Sequence, residues 1–289
     1  MNNSSKLVRT HLEPVDYLVF GHITQDLIDS GSRIGGTVTY SGLTAKALGH
    51  SVGIVTSFQS DLDVSACEGL QIVNHESEHN STFRNIPSPK GRTQFLYHKA
   101  HQLSSEHIPA GWIHSPIVHL GPVANEVDPD IINHFPNSQI FLTPQGWLRA
   151  IDAEKKVHPI PWNLPPELTS KATAIVLSVE DVQGDESQIS ELVSLCRLVV
   201  VTENKYGARV YWNGDVRYFA APEVELVEDT GAGDIFAASF FSRLTKTRDP
   251  WESARFAVKL STASVTRRYL DSIPTQDEIR DAKVDIIIS

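Results

Sequence analysis

Short apolar runs, separated by polar and helical segments, recur along most of the chain. Six of them lie at residues 16–21, 52–57, 117–121, 140–143, 174–178 and 198–202. Runs that are this short and almost continuously apolar are typical of strands buried on both faces of a parallel sheet. Between the first two runs, residues 37–48 carry apolar side chains at helical spacing and end at Gly49. The alternation predicts an α/β fold with a doubly wound, mostly parallel sheet and helices on both faces.

The C-terminal half continues this alternation and adds a hairpin. Helices are predicted over residues 127–135, 188–195, 233–244, 251–267 and 275–282. Asn213-Gly214 stands between two strand-like runs, at 208–212 and 216–220, and such a dipeptide is a strong hairpin signal. Residues 1–14 read as a loose lead-in, and no linker or repeat divides the chain. We therefore expect a single domain over residues 1–289.

A second hairpin is predicted outside the main sheet. Residues 81–86 and 92–99 are strand-like runs around the turn at 87–91. Phe83, Phe95 and Tyr97 fall at a period of two, which predicts one apolar face that carries all three rings. We interpret residues 81–99, together with residues 24–34, as a small β lid. An edge hairpin that does not move fits the same pattern, and the sequence leaves this alternative open.

Composition and charge exclude several classes of partner. Of the 289 residues, 40% are hydrophobic and 21% are charged, as in ordinary soluble proteins. The formal net charge of −10, without a basic run, argues against nucleic acid and anionic membranes as partners. Cys67 and Cys196 are too few for a disulfide framework, and the histidines are scattered, so we expect a reduced, cytoplasmic protein without a zinc site. Its state is expected to be a monomer or a homodimer.

The strongest chemical signal is the turn Thr230-Gly231-Ala232-Gly233-Asp234, which runs directly into an apolar helix. Glycines let a ligand approach the backbone closely, and the N–H groups and dipole of a helix start attract anions. A carboxylate in that first turn can take the proton of a hydroxyl beside the bound anion. An anion hole next to a base is what phosphoryl transfer to an alcohol requires. Taken alone, the same glycines could serve only the packing of a buried helix.

The chain resembles the ribokinase-like (PfkB) carbohydrate kinases over nearly all of its length. Three stretches carry the resemblance, namely Gly21 to Asp26 followed by Gly35-Gly36, the strand and turn at 201–207, and the turn at 230–234. Residues 35–40, 144–149 and 264–268 are most similar to the branch that contains myo-inositol kinases. The resemblance implies ATP-dependent phosphorylation of a hydroxyl group on a sugar, polyol or nucleoside.

The resemblance also implies roles for individual residues. Asp234 is expected to be the catalytic base, and Gly231, Ala232 and Gly233 are expected to donate backbone hydrogen bonds to the transferring phosphate. The expected acceptor-binding residues are Asp26, Gly35, Gly36 and Gln145, the expected nucleotide-binding residues are Thr202, Gly207 and Thr230, and the expected magnesium ligands are Glu180 and Asp181. Glu180 and Asp181 could equally be solvated loop acids.

Four positions depart from the family pattern. Glu228 precedes the glycines where the family commonly has an aspartate, which leaves activation by K⁺ open. Ser178 replaces an asparagine near the expected magnesium site, Tyr40 stands where an asparagine often contacts the substrate, and Thr143 stands where an aspartate is common. These changes indicate an unusual substrate or a weakened activity.

The acceptor is expected to be a neutral polyhydroxylated ring. Asp26 can accept hydrogen bonds from two adjacent hydroxyls, and Arg33 is the only basic residue close to it in sequence. We rank myo-inositol or a similar cyclitol first, a free sugar second and a nucleoside third. A non-catalytic relative that binds a nucleotide or polyol as a sensor remains the alternative, although it would have no need of a base at Asp234.

Overall fold

The computed structural model describes residues 12–88 and 91–283, so most of the expected lead-in and part of the expected turn at 87–91 lie outside the described residues. The strands are β1 (Tyr17–Phe20), β2 (Thr24–Ile28), β3 (Gly31–Gly35), β4 (Val52–Thr56), β5 (Gln71–Asn74), β6 (Ser81–Ser88), β7 (Gly91–His98), β8 (Ile117–Leu120), β9 (Gln139–Leu142), β10 (Arg149–Ile151), β11 (Val157–Pro159), β12 (Ala174–Ser178), β13 (Leu198–Thr202), β14 (Ala208–Trp212) and β15 (Asp215–Phe219). The α-helices are α1 (Thr37–Ala47), α2 (Pro166–Lys171), α3 (Glu186–Leu195), α4 (Ala232–Thr247), α5 (Pro250–Ser264) and α6 (Gln276–Ala282).

Within the described ranges, nine strands form the main sheet, in the order β15-β14-β13-β12-β9-β8-β1-β4-β5. All neighbours from β13 to β5 are parallel, and β14 and β15 add an antiparallel hairpin at one edge. The predicted doubly wound, mostly parallel sheet is therefore confirmed. The carboxyl ends of the parallel strands meet at one edge, which is where such sheets bind their ligands.

The sheet carries a hydrophobic core on each face. Tyr17 and Val19 of β1 pack with α1, α4 and α5 in one core, whereas Leu18 and Phe20 pack with α2 and α3 in the other. Because successive side chains of a strand point to opposite faces, a continuously apolar strand is what a sheet covered on both sides requires. None of the helices in the described part of the chain is long and apolar enough to cross a membrane.

The second sheet has the order β3-β2-β6-β7 and joins the two segments that we predicted as a lid. The register corrects our expectation for its aromatic face. Phe83 pairs with Leu96, after a bulge at Thr82/Phe83, so Phe95 and Tyr97 lie on the opposite face from Phe83. Phe83 and Leu96 are buried, while Phe95 and Tyr97 are only half-buried. A bulge adds one residue to one strand and so reverses the faces beyond it, which a period of two cannot reveal.

The remaining predicted elements lie close to their expected places. Asp128 caps a helix over Pro129–His134 as expected, but the helix is of the tighter 3₁₀ type. Among the strands and α-helices, four elements had no prediction, namely β5 at the edge of the main sheet, the paired strands β10 and β11, and α2.

Candidate functional site

The first glycine of the glycine-rich turn, Gly231, has surroundings that only glycine tolerates. Gly231 is the residue before α4 and has a φ of 81°, in the left-handed region. A Cβ at Gly231 would overlap the ring of Tyr40, which belongs to α1. Gly231 is therefore required twice, once for its backbone angle and once for its contact with Tyr40. The sequence predicted the turn but gave no signal for this contact.

The other residues of the turn differ in what they present to a ligand. Gly233 is exposed, and no atom lies within 4 Å of the position that a Cβ would take there. The N–H group of Ala232 donates to the carbonyl oxygen of Asp229 at 3.1 Å. The amide of Ala232 is therefore already used by the chain, and the open side of the turn lies at Gly233. We retain Gly231 and Gly233, rather than Ala232, as the expected donors to an anion.

Asp234 lies in the first turn of α4, and its backbone carbonyl accepts a hydrogen bond from Ser41 Oγ of α1 at 3.2 Å. The hydroxyl of Tyr40 is buried and has no hydrogen-bond partner within the described part of the chain. Burial raises the pKa of Tyr40 well above its usual range, so the hydroxyl stays protonated. The charge of Arg33 opposes this rise, and those of Asp26 and Asp234 add to it. The charges of the two predicted carboxylates therefore both act on the Tyr40 hydroxyl.

Asp26 is held in place by its neighbours on the lid strands. Its side chain is largely buried, and Oδ1 accepts a hydrogen bond from Thr24 Oγ1 at 3.0 Å. A Cβ on Gly35 would lie 2.5 Å from Asp26 Oδ2, and a Cβ on Gly36 would overlap the carbonyl oxygen of His22. Gly36 also has a φ of 88°. The two glycines therefore make room for the Asp26 carboxylate and for the start of α1.

A buried polar chain runs beneath the site. Both ring nitrogens of His119 have partners, with Nδ1 3.0 Å from Tyr17 Oη and Nε2 2.9 Å from Thr143 Oγ1. Burial lowers the pKa of His119 to about 3, so the imidazole is neutral at ordinary pH. Thr143, where an aspartate is common in the family we expected, is thus the partner of a neutral histidine. An ionised aspartate at this position would place a charge in the core.

The three expected nucleotide-binding residues lie at the end of β13, in the loop that follows it and in the segment before α4. Thr202 ends β13, and its Oγ1 donates to the carbonyl oxygen of Leu177 at 3.4 Å. Gly207 has a φ of 105°, and a Cβ there would overlap the carbonyl oxygen of Phe219. Both the N–H and the hydroxyl of Thr230 donate to a carboxylate oxygen of Glu228. The carboxylate of Glu228, a residue that departs from the family pattern, therefore fixes the start of the glycine-rich turn.

A pocket of about 470 Å³ adjoins this region, and it is lined by Arg217, Tyr218, Phe219, Ala220, Pro222, Trp251, Arg255, Val258 and Lys259. Ala221, between two of the lining residues, donates its N–H to the carbonyl oxygen of Tyr206 at 3.4 Å. The pocket therefore opens beside the loop that contains Gly207. Its aromatic wall and three basic side chains suit a ligand that is both planar and anionic.

The expected magnesium ligands have unequal surroundings. Asp181 Oδ2 accepts a hydrogen bond from the N–H of Ser178 at 2.8 Å, and Oδ1 accepts one from Gln145 Nε2 at 3.3 Å. Burial raises the pKa of Asp181. Glu180 binds Asn204 Nδ2 through Oε1 at 2.9 Å. The described residues contain no cluster of three or more side chains suited to hold a metal ion. They therefore fit an ion held by one carboxylate and by phosphate oxygens, with Glu180 as the more accessible ligand.

Gln145, which we expected at the acceptor, donates a hydrogen bond to Asp181 through Nε2. Arg149 acts on the same carboxylate, because its positive charge lowers the pKa of Asp181. Gln145, Asp181 and Arg149 thus form one polar group at the carboxyl ends of β9 and β12.

The comparisons with known proteins agree with this geometry. The family model described as pfkB family carbohydrate kinase matches residues 172–276, which contain the glycine-rich turn. A cytidine kinase from Thermococcus kodakarensis is 24% identical over 277 residues, covering 85% of this chain and 94% of that protein.

Two solved structures illustrate the shared fold. A pyrophosphate-dependent kinase of the ribokinase family, in complex with a pyrophosphate analogue and myo-inositol, superposes with a TM-score of 0.77 at 19% identity, over 92% of this chain and 99% of the other. Arabidopsis thaliana ribokinase, in complex with ribose and ATP, gives a TM-score of 0.68 at 14% identity, over 93% and 99% of the two chains.

These likenesses show that the chain has the ribokinase-like fold. Together with the family match, they support the assignment to the PfkB carbohydrate kinases that the sequence motifs predicted, and they support an enzyme of the kinase class.

Proposed function

We propose that the chain, as one kinase domain with a β lid, transfers a phosphoryl group from ATP to a hydroxyl group of a small neutral polyol or sugar. One observation carries the proposal. Asp234 follows the left-handed turn at Gly231, which lies against the ring of Tyr40, and the charges of Asp234 and Asp26 both act on the Tyr40 hydroxyl. This supports an anion-binding turn, a base and a hydroxyl-binding carboxylate that serve one site.

The reaction needs few groups beyond these. Asp26 orients the acceptor, and Asp234 takes the proton of its reacting hydroxyl as the oxygen attacks the γ-phosphorus of ATP. The bond between that phosphorus and the β,γ-bridging oxygen breaks, and ADP leaves. The N–H groups at Gly231 and Gly233 stabilise the charge on the transferring phosphoryl group. Phosphoryl transfer depends mostly on such positioning and electrostatic stabilisation.

Two observations bear on the phosphoryl donor. Pyrophosphate would fill the glycine-rich turn but would leave the 470 Å³ pocket beside the Gly207 loop empty, whereas the nucleoside of ATP has the size and shape to occupy it. The structural neighbour that holds a pyrophosphate analogue is the reason to test both donors. We favour ATP because of the pocket. Mg²⁺, held by Glu180 and the donor's phosphates, would neutralise charge on those phosphates.

For the acceptor we propose a cyclitol such as myo-inositol first and a free sugar second. Asp26 can accept hydrogen bonds from two neighbouring hydroxyls, and myo-inositol is the ligand of the structural neighbour described above. A nucleoside acceptor is the third candidate, and it is supported by the cytidine kinase of T. kodakarensis, which matches 85% of this chain. Ribose and a cyclitol both offer the vicinal hydroxyls that a buried carboxylate can read.

The test is transfer to a panel of acceptors by the full chain with Mg²⁺. Myo-inositol, ribose, fructose and cytidine are each offered with ATP and, separately, with pyrophosphate, and phosphorylated products are followed by ³¹P NMR. We expect ATP-dependent phosphorylation of a neutral acceptor, with myo-inositol as the best. Transfer from pyrophosphate alone would overturn the donor assignment. Nucleotide binding without transfer to any acceptor would favour a sensor over a kinase.

A further inference from the structure

We propose that Arg33 is an acceptor-binding residue that donates hydrogen bonds to a hydroxyl oxygen of the phosphoryl acceptor. This inference rests on the proposed kinase function and adds a specificity-determining residue to it. Arg33 belongs to strand β3 of the lid sheet, and neither the sequence motifs nor the comparisons assign it a role.

The sheet register places Arg33 beside the carboxylate expected to read the acceptor. Asp26 of β2 and Arg33 of β3 are directly paired in an antiparallel ladder. Directly paired residues project from the same face, with Cβ atoms about 5 Å apart. The positive charge of Arg33 also reaches Tyr40, where it opposes the carboxylates of Asp26 and Asp234. Arg33 therefore lies next to the proposed acceptor and not on the outer side of the lid.

The guanidinium group has donors that the described chain leaves unused. Nε and Nη1 of Arg33 are buried from solvent, and neither has a hydrogen-bond partner among the described residues. A buried donor without a partner is unfavourable, and more so when the group is charged. A bound ligand can satisfy such donors. The loop at 268–271 lies beside Arg33, where both line a cavity of about 690 Å³ whose lining includes neither Asp26 nor Asp234.

The neighbouring loop holds the guanidinium without using its N–H groups. The guanidinium carbon lies 3.4 Å from the centre of the Tyr269 ring. Stacking occupies the flat face of the guanidinium and leaves the N–H groups at its edge available. Tyr269 has a φ of 53°, which is uncommon for a bulky residue and is maintained by its surroundings. Three residues before this loop, Val265 accepts hydrogen bonds from the segment that leads into the glycine-rich turn.

That connection is made by the backbone. The N–H groups of Val227 and Glu228 both donate to the carbonyl oxygen of Val265, at 2.9 and 3.1 Å. The end of α5, just before the loop that carries Tyr269, is therefore hydrogen-bonded to the segment that precedes the glycine-rich turn.

Asp26 and Arg33 together define the chemistry of the acceptor. A hydroxyl group donates one hydrogen bond and accepts others, so it can donate to Asp26 and accept from Arg33 at once. Adjacent hydroxyls on a ring satisfy both side chains, whereas a deoxy analogue leaves one of them unpaired. An acceptor that already bears phosphate would place its charge near Asp26 and Asp234 as well as near Arg33. The pair therefore suits a neutral vicinal diol.

The experiment compares Arg33→Met, which keeps the stem but removes the donors, with Arg33→Lys and the parent protein. We expect the Met variant to raise the KM for myo-inositol about tenfold or more, since a hydrogen bond to a charged group contributes about 1.5–3 kcal/mol. The KM for ATP should stay within about twofold. The Lys variant should recover only part of the loss, because a single ammonium cannot reproduce the guanidinium edge.

Two matched controls separate hydrogen bonding from lid packing. Arg84→Met removes another lid arginine, which is half-exposed and paired with Asp29 at 3.5 Å, and it should leave both KM values unchanged. Tyr269→Leu should raise the acceptor KM in the same direction as Arg33→Met. Tyr269→Phe keeps the aromatic face and should retain the parent value.

The experiments distinguish an error in the role of Arg33 from an error in the proposed kinase function. If the parent transfers phosphate but Arg33→Met leaves the acceptor KM unchanged, the inference is wrong and the kinase function stands. If no acceptor is phosphorylated, the function is wrong, and calorimetry with myo-inositol and cytidine on both proteins decides about Arg33. A parent affinity lost in the variant would support the binding role, and equal affinity, including none measurable in either, would overturn it.

Discussion

At the scale of single residues, the site is built by close approaches that only small residues allow. Gly231 meets the Tyr40 ring, and Gly35 meets the Asp26 carboxylate. The sequence motifs drew attention to these glycines because a ligand needs access to their backbone. In the structure their lack of a Cβ serves the chain's own contacts as well. Gly233, by contrast, faces open space. No contact within the described chain requires glycine there, so only a bound ligand would require it.

Asp234→Asn tests the base directly. The amide cannot accept the hydroxyl proton, and loss of a general base typically costs about 10²–10⁴ in rate. We expect kcat to fall by that order while ATP affinity, measured by calorimetry, stays close to the parent value. Asp229→Asn is the matched control, because Asp229 precedes the turn and contributes its backbone carbonyl to Ala232. A rate within a few-fold of the parent would remove Asp234 from the mechanism.

The two glycines of the turn should respond differently to alanine. At Gly231 a methyl group overlaps Tyr40 and a φ of 81° is strained, so Gly231→Ala should lower both stability and activity. At Gly233, within α4, alanine has room and should leave the thermal midpoint unchanged or slightly higher.

Catalysis by Gly233→Ala should nevertheless fall, on the order of 10²-fold, because the methyl group displaces the phosphate from its reacting position. Thermal unfolding and steady-state kinetics on both variants provide the measurement. Full activity in Gly233→Ala would mean that the phosphate does not approach this side of the turn.

At the scale of elements, the sequence predicted what a repeated local pattern encodes. The strands from β1 to β13 that lie inside the main sheet are continuously apolar, because helices cover both faces, and each was recognised from that property. The edge strand β5 is only half-buried throughout, and β10 and β11 are three residues each. Such strands carry little apolar signal of their own. The pairing of β3 with β2, which brings Arg33 to Asp26, depends on register, and sequence alone does not define it.

Docking of the lid hairpin depends on a small apolar cluster. Phe83 and Leu96 pack against Val123 and Ala124, which follow β8 of the main sheet. Leu96→Ala should loosen this contact and admit water, which competes with the acceptor for phosphate. We expect the ratio of ATP hydrolysis to transfer to rise several-fold.

Phe95→Ala is the control for the lid prediction, since Phe95 lies on the opposite face of the same strand. Its ratio of hydrolysis to transfer should stay near that of the parent. Equal ratios in the Leu96 variant, the Phe95 variant and the parent would show that the hairpin does not exclude water. The hairpin would then be an edge structure, as the sequence alone allowed.

At the scale of the whole molecule, topology unites residues that are far apart in the chain. Asp26 comes from the lid, Tyr40 from α1 and Asp234 from α4, yet all three are electrostatically coupled. The sequence motifs could identify each of these residues as a site residue. They could not show which other residues of the site it interacts with. Tyr40 is the example, because this departure from the family pattern proved to contact Gly231 and to feel the charges of both carboxylates.

The buried histidines predict how the stability of the whole fold depends on pH. His119 is fully buried, with its pKa lowered to about 3, and burial also lowers the pKa of His22. The unfolded chain binds protons at these histidines near pH 6.5, before the folded chain does. The stability that they contribute is therefore complete above about pH 6.5 and is lost as the pH falls below it, by up to about 1.4 kcal/mol per pH unit for each histidine.

Urea unfolding at pH 7 and pH 5 measures this dependence. For His119 we expect a loss of about 2 kcal/mol between the two values. His119→Asn should be less stable than the parent at pH 7, because Tyr17 and Thr143 lose their shared partner, but it should lose less on acidification. His134→Asn changes an exposed histidine and should keep the parent's pH dependence. If the His119 and His134 variants lose the same free energy between pH 7 and pH 5, the neutral buried imidazole is not the source of the acid sensitivity.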